Sequence, residues 1–186
     1  MNPLKTYDYL ITARARIFDW VRPLSAEAYT RQFPIGPGSI ARTLTHTCAS
    51  EWYYVMRMQG LPVPPYAQWP LREENPPPFA ALEAEWTRQA AATRAAVARL
   101  WNHASDAATT PWRRELEYTP EPDPATPAGE TSKLWIVTTT PADIFTQLAF
   151  HEVHHRAQVL NMLRQLGGTK LEDIDYNAIN YRRRPA

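Results

Sequence analysis

The run His151-Glu152-Val153-His154-His155 is the densest group of metal-ligand side chains in a 186-residue chain that holds five histidines and one cysteine. A helix turns about 100° per residue, so His151 and His155 fall within about 40° of one another, while His154 is displaced by about 60° from the first and about 100° from the second. Only two of the three share a face well. Ile144, Leu148, Val159, Met162 and Leu166 occupy the same sector as His151 and His155, so this pair is expected to point into a core, with Glu152 and His154 on opposite flanks. Two imidazoles one turn apart on a buried stripe are costly unless each ring nitrogen is paired. A divalent cation satisfies both at about 2.0–2.1 Å, and histidines held only by hydrogen bonds are the plainer alternative.

Two ligands make a weak site, so a third donor is expected from elsewhere. His46, His103 and the carboxylates are the candidates, and helical spacing does not choose among them. His46 shares its side of a helix with Arg42, Ala49, Ser50 and Tyr53, away from the Leu44 stripe, and His103 stands where a helix ends. An imidazole at such an end has an ordinary explanation in the terminal carbonyls. Cys48 projects about 200° from His46 and reads as a small core residue rather than a ligand or nucleophile. The letters HEVHH also satisfy the HExxH pattern of zinc peptidases, with Glu152 as general base and Glu172 or Asp175 as a downstream ligand. That fold sets the helix beside a sheet, and the chain offers at most one ribbon.

Four helical stretches must position these groups. The first, about Leu4 to Val21, carries Leu4, Tyr7, Leu10, Ile11, Ile17, Phe18 and Val21 at helical spacing. The second starts after Gly-Pro-Gly-Ser, where Ser39 can cap it, and its stripe of Ile40, Leu44, Cys48, Trp52 and Val55 runs out before Gly60. Residues 61–78 contain seven prolines and predict an extended, stiff connection. The third helix, about Phe79 to Trp101, sets Phe79, Leu82, Trp86, Val97 and Leu100 on one side of an alanine-rich surface suited to close packing. Residues 113–119 and 132–140 are rich in β-branched and aromatic types and predict a two-stranded ribbon. Thr140 as cap, Pro141 at the first position, Asp143 three residues after the cap and Gly167-Gly168 at the end mark the fourth helix. The pattern predicts an all-α four-helix bundle over a single domain, residues 1–186, with long Pro-rich connections and a short β-ribbon before the last helix.

Composition narrows the function classes. Lysine plus arginine number 20 against 19 acidic residues, and the basic cluster Arg182-Arg183-Arg184 sits at the C-terminus, so no nucleic-acid partner is expected. One cysteine excludes thiolate-rich zinc sites and CxxC redox motifs and suits a reducing compartment. The first twenty residues have no continuous apolar run before Arg14 and Arg16, so neither a signal peptide nor a membrane span is expected, and a cytoplasmic location follows.

Three segments resemble the DinB-like (YfiT-like) family of metal-dependent four-helix bundles. Residues 7–25, YDYLITARARIFDWVRPLS, resemble its first helix; residues 38–60, GSIARTLTHTCASEWYYVMRMQG, its second; and residues 141–167, PADIFTQLAFHEVHHRAQVLNMLRQLG, its last, with the HxxxHRxQ pattern. The resemblance implies a three-histidine site of His46, His151 and His155 for a divalent metal (zinc, nickel, iron or manganese), with Arg156 and Gln158 belonging to the motif. It further implies a homodimer, a stress-linked role, and thiol-dependent S-transfer or isomerisation on a small-molecule substrate with a low-molecular-weight thiol. Ala157 stands where many members have glycine. A metal that only staples two helices in a stress-linked binding protein is the non-enzymatic alternative. In the three-histidine enzyme reading, residues 61–78 and 119–131 are expected to wall a pocket, with Tyr66, Trp69 and Trp135 as lining.

Overall fold

The computed structural model describes residues 2–101, 110–120, 136–168 and 171–182. Four long helices, α1 (Pro3–Val21), α3 (Ile40–Met58), α4 (Phe79–Trp101) and α5 (Pro141–Gln165), build the bundle; short helices α2 (Ala26–Thr30) and α6 (Tyr176–Asn180) lie in the loops. Strands β1 (Leu116–Tyr118) and β2 (Val137–Thr139) pair antiparallel with Leu116 opposite Thr139. The expected bundle and ribbon are present, with each strand shorter than predicted. The two short helices were not anticipated, because five residues carry too little periodicity to register.

Local chemistry starts each helix where the sequence indicates. Asn2 Oδ1 accepts the Lys5 amide ahead of Pro3, and Ser39 Oγ accepts the Arg42 amide. Thr140 Oγ1 accepts the Asp143 amide at 3.2 Å while its hydroxyl donates to the Asp143 carboxylate at 2.7 Å, so two groups at the start of α5 satisfy each other. Gly167, at φ +93°, lets the Gly168 amide turn back to the Leu163 carbonyl at 2.9 Å and stop the helix.

The long helices pack as a ring: α1 on α4 and α5, and α3 on the same two neighbours. Tyr7, Leu10, Ile17 and Val21 of α1, Ile40, Leu44, Cys48 and Met58 of α3, Leu82, Trp86 and Val97 of α4, and Ile144, Leu148, Val159 and Met162 of α5 fill the centre. One position departs from the predicted stripe of α3. Trp52 is only half-buried and Glu51 takes the inward place.

That inversion has a partner. Arg14, on the inward face of α1, reaches across the ring to Glu51 at 2.7 Å and to Glu152 of α5 at 2.6 Å. Tyr7 and Thr93 donate to Glu51 Oε1 at 2.7 and 2.8 Å, and Trp86 donates to Oε2 at 2.9 Å. All four long helices therefore meet in one buried polar network, and the Arg14 guanidinium also lies 4.2 Å from the Trp86 ring centroid. No described helix is long and apolar enough to cross a membrane.

Candidate metal centre

His46 of α3 and His151 and His155 of α5 come together at the rim of the bundle. The Nε2 atoms of His46 and His155 each stand 3.1 Å from Nε2 of His151, and these three residues form a group able to hold a metal ion. Donors bound at about 2.0–2.1 Å to one cation are separated by about 2.8–3.4 Å for angles between octahedral and tetrahedral. The observed spacing falls within that interval.

Tautomers sharpen the fit. His46 Nδ1 faces the Glu73 carboxylate, which when ionised can only accept, so Nδ1 carries the hydrogen and Nε2 keeps its lone pair. His155 Nδ1 is 2.8 Å from Gln158 Oε1, while the amide nitrogen of Gln158 is 2.9 Å from His154 Nε2. His155 Nε2 is thus also left with its lone pair. His151 Nε2 owns at most one hydrogen and cannot satisfy both neighbours, whereas one cation accepts all three lone pairs.

Burial supports the same protonation. It pushes the His151 imidazolium down to about 3, with the charges of His155, His46 and His154 adding to the effect. Burial likewise pushes His155 down to about 4, against the hydrogen bond that its Nδ1 donates to Gln158 Oε1. Both rings are neutral, and so competent as ligands, at neutral pH. His46 keeps 32% of its side chain exposed and His151 is half-buried, so the cluster faces solvent on one side.

The other expectations sort by geometry. Cys48 is fully buried, its thiol pushed far upward by desolvation, with Gln89 donating to its carbonyl. It is a core residue, as expected. Glu152 is not free on a flank. It is buried against Arg14, and desolvation raises its carboxyl in spite of that partner, so it does not face the histidine cluster as the general base of a peptidase must. Glu172 lies 3.6 Å from Arg16 on an exposed surface and Asp175 precedes α6; neither joins the cluster. The HExxH peptidase reading therefore fails on the geometry of its own motif. His103, Trp135 and residues 121–131 lie outside the described residues.

Two residues of the motif acquire physical roles. Gln158 orients His155, and Arg156, buried, donates to the Tyr9 hydroxyl, which itself donates to the Ile174 carbonyl at 3.1 Å. Ala157 faces solvent, so the methyl group that replaces glycine there meets no close packing. Trp69, expected as a pocket lining, is stacked on Tyr53 at 5.2 Å and touches Trp52 and Tyr66. It fastens the connection to α3 beside the cluster, and Tyr54 sets its ring edge against His151 at 5.6 Å. A separate cleft of about 440 Å³ between α1 and α4, floored by Phe18 and Trp86, contains no histidine.

Sequence reasoning did not find Glu73 or Gly36. Gly36 has φ +51°, and a Cβ there would fall 2.2 Å from Gln158 Oε1. The obstructed atom ends a flexible side chain, so Gly36→Ala is expected to leave the bundle folded while displacing the amide from His155. Metal affinity should fall by about tenfold, in the range for lost outer-sphere partners, with a further backbone cost of about 1–2 kcal/mol from the left-handed conformation. Competition titration with a chromophoric chelator measures the first and thermal unfolding of the metal-free protein the second.

No curated protein searched matches the chain. The sequence model of the DinB family matches residues 1–182, nearly the whole length, and the chain belongs to that family.

Proposed function

We propose that the protein is a metal-dependent enzyme in which His46, His151 and His155 hold one divalent cation, and that it transfers the sulfur of a low-molecular-weight thiol to a small-molecule acceptor. The observation that carries this reading is the convergence of three Nε2 atoms, two with their lone pairs fixed inward by Glu73 and Gln158. A divalent cation so held supplies Lewis acidity that makes a thiol or water nucleophilic near neutral pH.

The chain's own residues do the rest. Imidazole ligands bring no charge of their own to the centre, and the partial exposure of His46 and His151 opens the cluster to solvent, from which an exogenous donor can approach. Cys48 is sealed in the core, so the sulfur comes from a cosubstrate. In the transfer the thiol gives up its proton, its sulfur bonds to the acceptor, and the acceptor's leaving group departs. A metal serving only to staple α3 to α5 would duplicate what Arg14 already does by binding Glu51 and Glu152. The reading extends to a homodimer acting in the cytoplasm under stress, with zinc, nickel, iron or manganese as the ion.

Protein purified without a histidine tag should carry about one equivalent of divalent metal by elemental analysis. It should conjugate a low-molecular-weight thiol to an electrophilic acceptor, lose that activity with chelator and recover it on metal return. Full occupancy without turnover across a broad panel of thiols and acceptors would favour the staple.

A further inference from the structure

The proline-rich connection between α3 and α4 is not only a spacer. It carries Glu73 to the outer side of the His46 ring, where the carboxylate meets Nδ1 while Nε2 faces the other two histidines. Arg42, one turn before His46 on α3, stands 3.7 Å from the second carboxylate oxygen of Glu73. Glu73 is therefore held from two sides, by the ring it orients and by a cation on the same helix. The connection is anchored independently of this contact: Trp69 stacks on Tyr53 of α3, and its indole N–H donates to the Pro64 carbonyl at 3.1 Å.

We infer that Glu73 is the positioning residue of the metal centre, a carboxylate that fixes the tautomer and rotation of His46 and offsets part of the cation's charge. The inference rests on reading the histidine cluster as a metal site and adds the residue that tunes it. A carboxylate on the far nitrogen of a ligating imidazole makes the ring a more basic donor and prevents it from turning away. His46 needs such a device more than its partners. His151 and His155 share the rigid turn of α5, whereas His46 arrives alone from another helix, is partly exposed, and takes its Nδ1 partner from the connection rather than from its own helix. Glu73 sits on the Nδ1 side of the ring and is not among the residues whose donor atoms converge.

The test measures the affinity for Zn(II) and for Co(II), each alone, by chelator competition in wild type, Glu73→Gln, Glu73→Ala, Glu74→Ala and His46→Ala. The absorption of the Co(II) form reports the geometry of the site. The expected order is wild type and Glu74→Ala together, then Glu73→Gln, then Glu73→Ala at about 10–100-fold weaker, with altered Co(II) bands. Gln keeps an acceptor for Nδ1 without the charge, which is why it should fall between. If Glu73→Ala binds both ions as tightly as wild type, or if Glu74→Ala weakens binding equally, Glu73 has no positioning role, and a loss of binding in His46→Ala still upholds the metal site. If wild type binds neither ion, the reading of the cluster itself fails.

Discussion

His46→Ala should abolish stoichiometric metal binding, although it changes one half-exposed residue more than a hundred positions from the HEVHH run. Structural zinc sites with four ligands bind with about 10–16 kcal/mol, which is about 2.5–4 kcal/mol for each ligand. Losing one donor of three then weakens binding by about 10²–10³-fold, since each 1.4 kcal/mol is a factor of about ten. His151→Ala and His155→Ala should match it, because all three present Nε2 to one point. His154→Ala should cost far less, for its ring is exposed and its contact is with the Gln158 amide rather than with the centre. Glu172→Ala should leave occupancy unchanged, being on the surface beside Arg16. Elemental analysis of the tag-free proteins separates these outcomes. Retention of metal by His46→Ala together with its loss in Glu172→Ala would restore the peptidase reading that the position of Glu152 excludes.

The α5 half of this site could be read directly, because a twenty-five-residue helix with a cap, an N-terminal proline and a glycine stop leaves the helical phase of His151 and His155 in no doubt. His46 could not be placed by phase, and the structure shows why. It sits at the rim of α3, off the Leu44 stripe and partly exposed, as periodicity indicates, yet the packing of α3 along α5 brings that rim to the histidines. Only the family resemblance singled it out. Glu73 was less legible still, since a proline-rich connection has no repeat from which a direction can be deduced. The network at the centre was partly written in the chain: Arg14 falls between Leu10 and Ile17 on the apolar face of α1, and a charge in that position requires a buried partner. Assigning that partner to Glu51 rather than burying Trp52 needed the tertiary fold. Glu152, expected on a flank, was likewise drawn inward by Arg14.

The same network carries the second large effect. Glu51→Gln is expected to destabilise the metal-free protein by about 3–5 kcal/mol, the usual cost of breaking a buried ion pair by removing one partner, and to lower its melting temperature by roughly 10 °C. The substitution preserves shape, so its cost is electrostatic. Glu51 accepts from Tyr7 and Thr93 on one oxygen and from Trp86 and Arg14 on the other. A glutamine must turn its NH2 group toward two of these donors: facing Arg14 and Trp86 it leaves both without an acceptor, and facing Tyr7 and Thr93 it makes both hydroxyls accept instead of donate and gives Arg14 only a neutral oxygen. Burial alone would raise the Glu51 carboxyl, but Arg14 and the three neutral donors outweigh it and hold the group below the usual carboxylate range. A depressed value in the fold means that its contribution to stability is complete above the unfolded-state value and is lost as pH falls through the folded one. The gap between wild type and Glu51→Gln should therefore be widest near neutral pH and close under acid. Thermal or urea unfolding across pH checks the sign. Arg14→Met combined with Glu51→Gln should cost less than the sum of the two single changes, because each removes a partner that the other has already lost. Full additivity would mean that the two charges do not act as a pair.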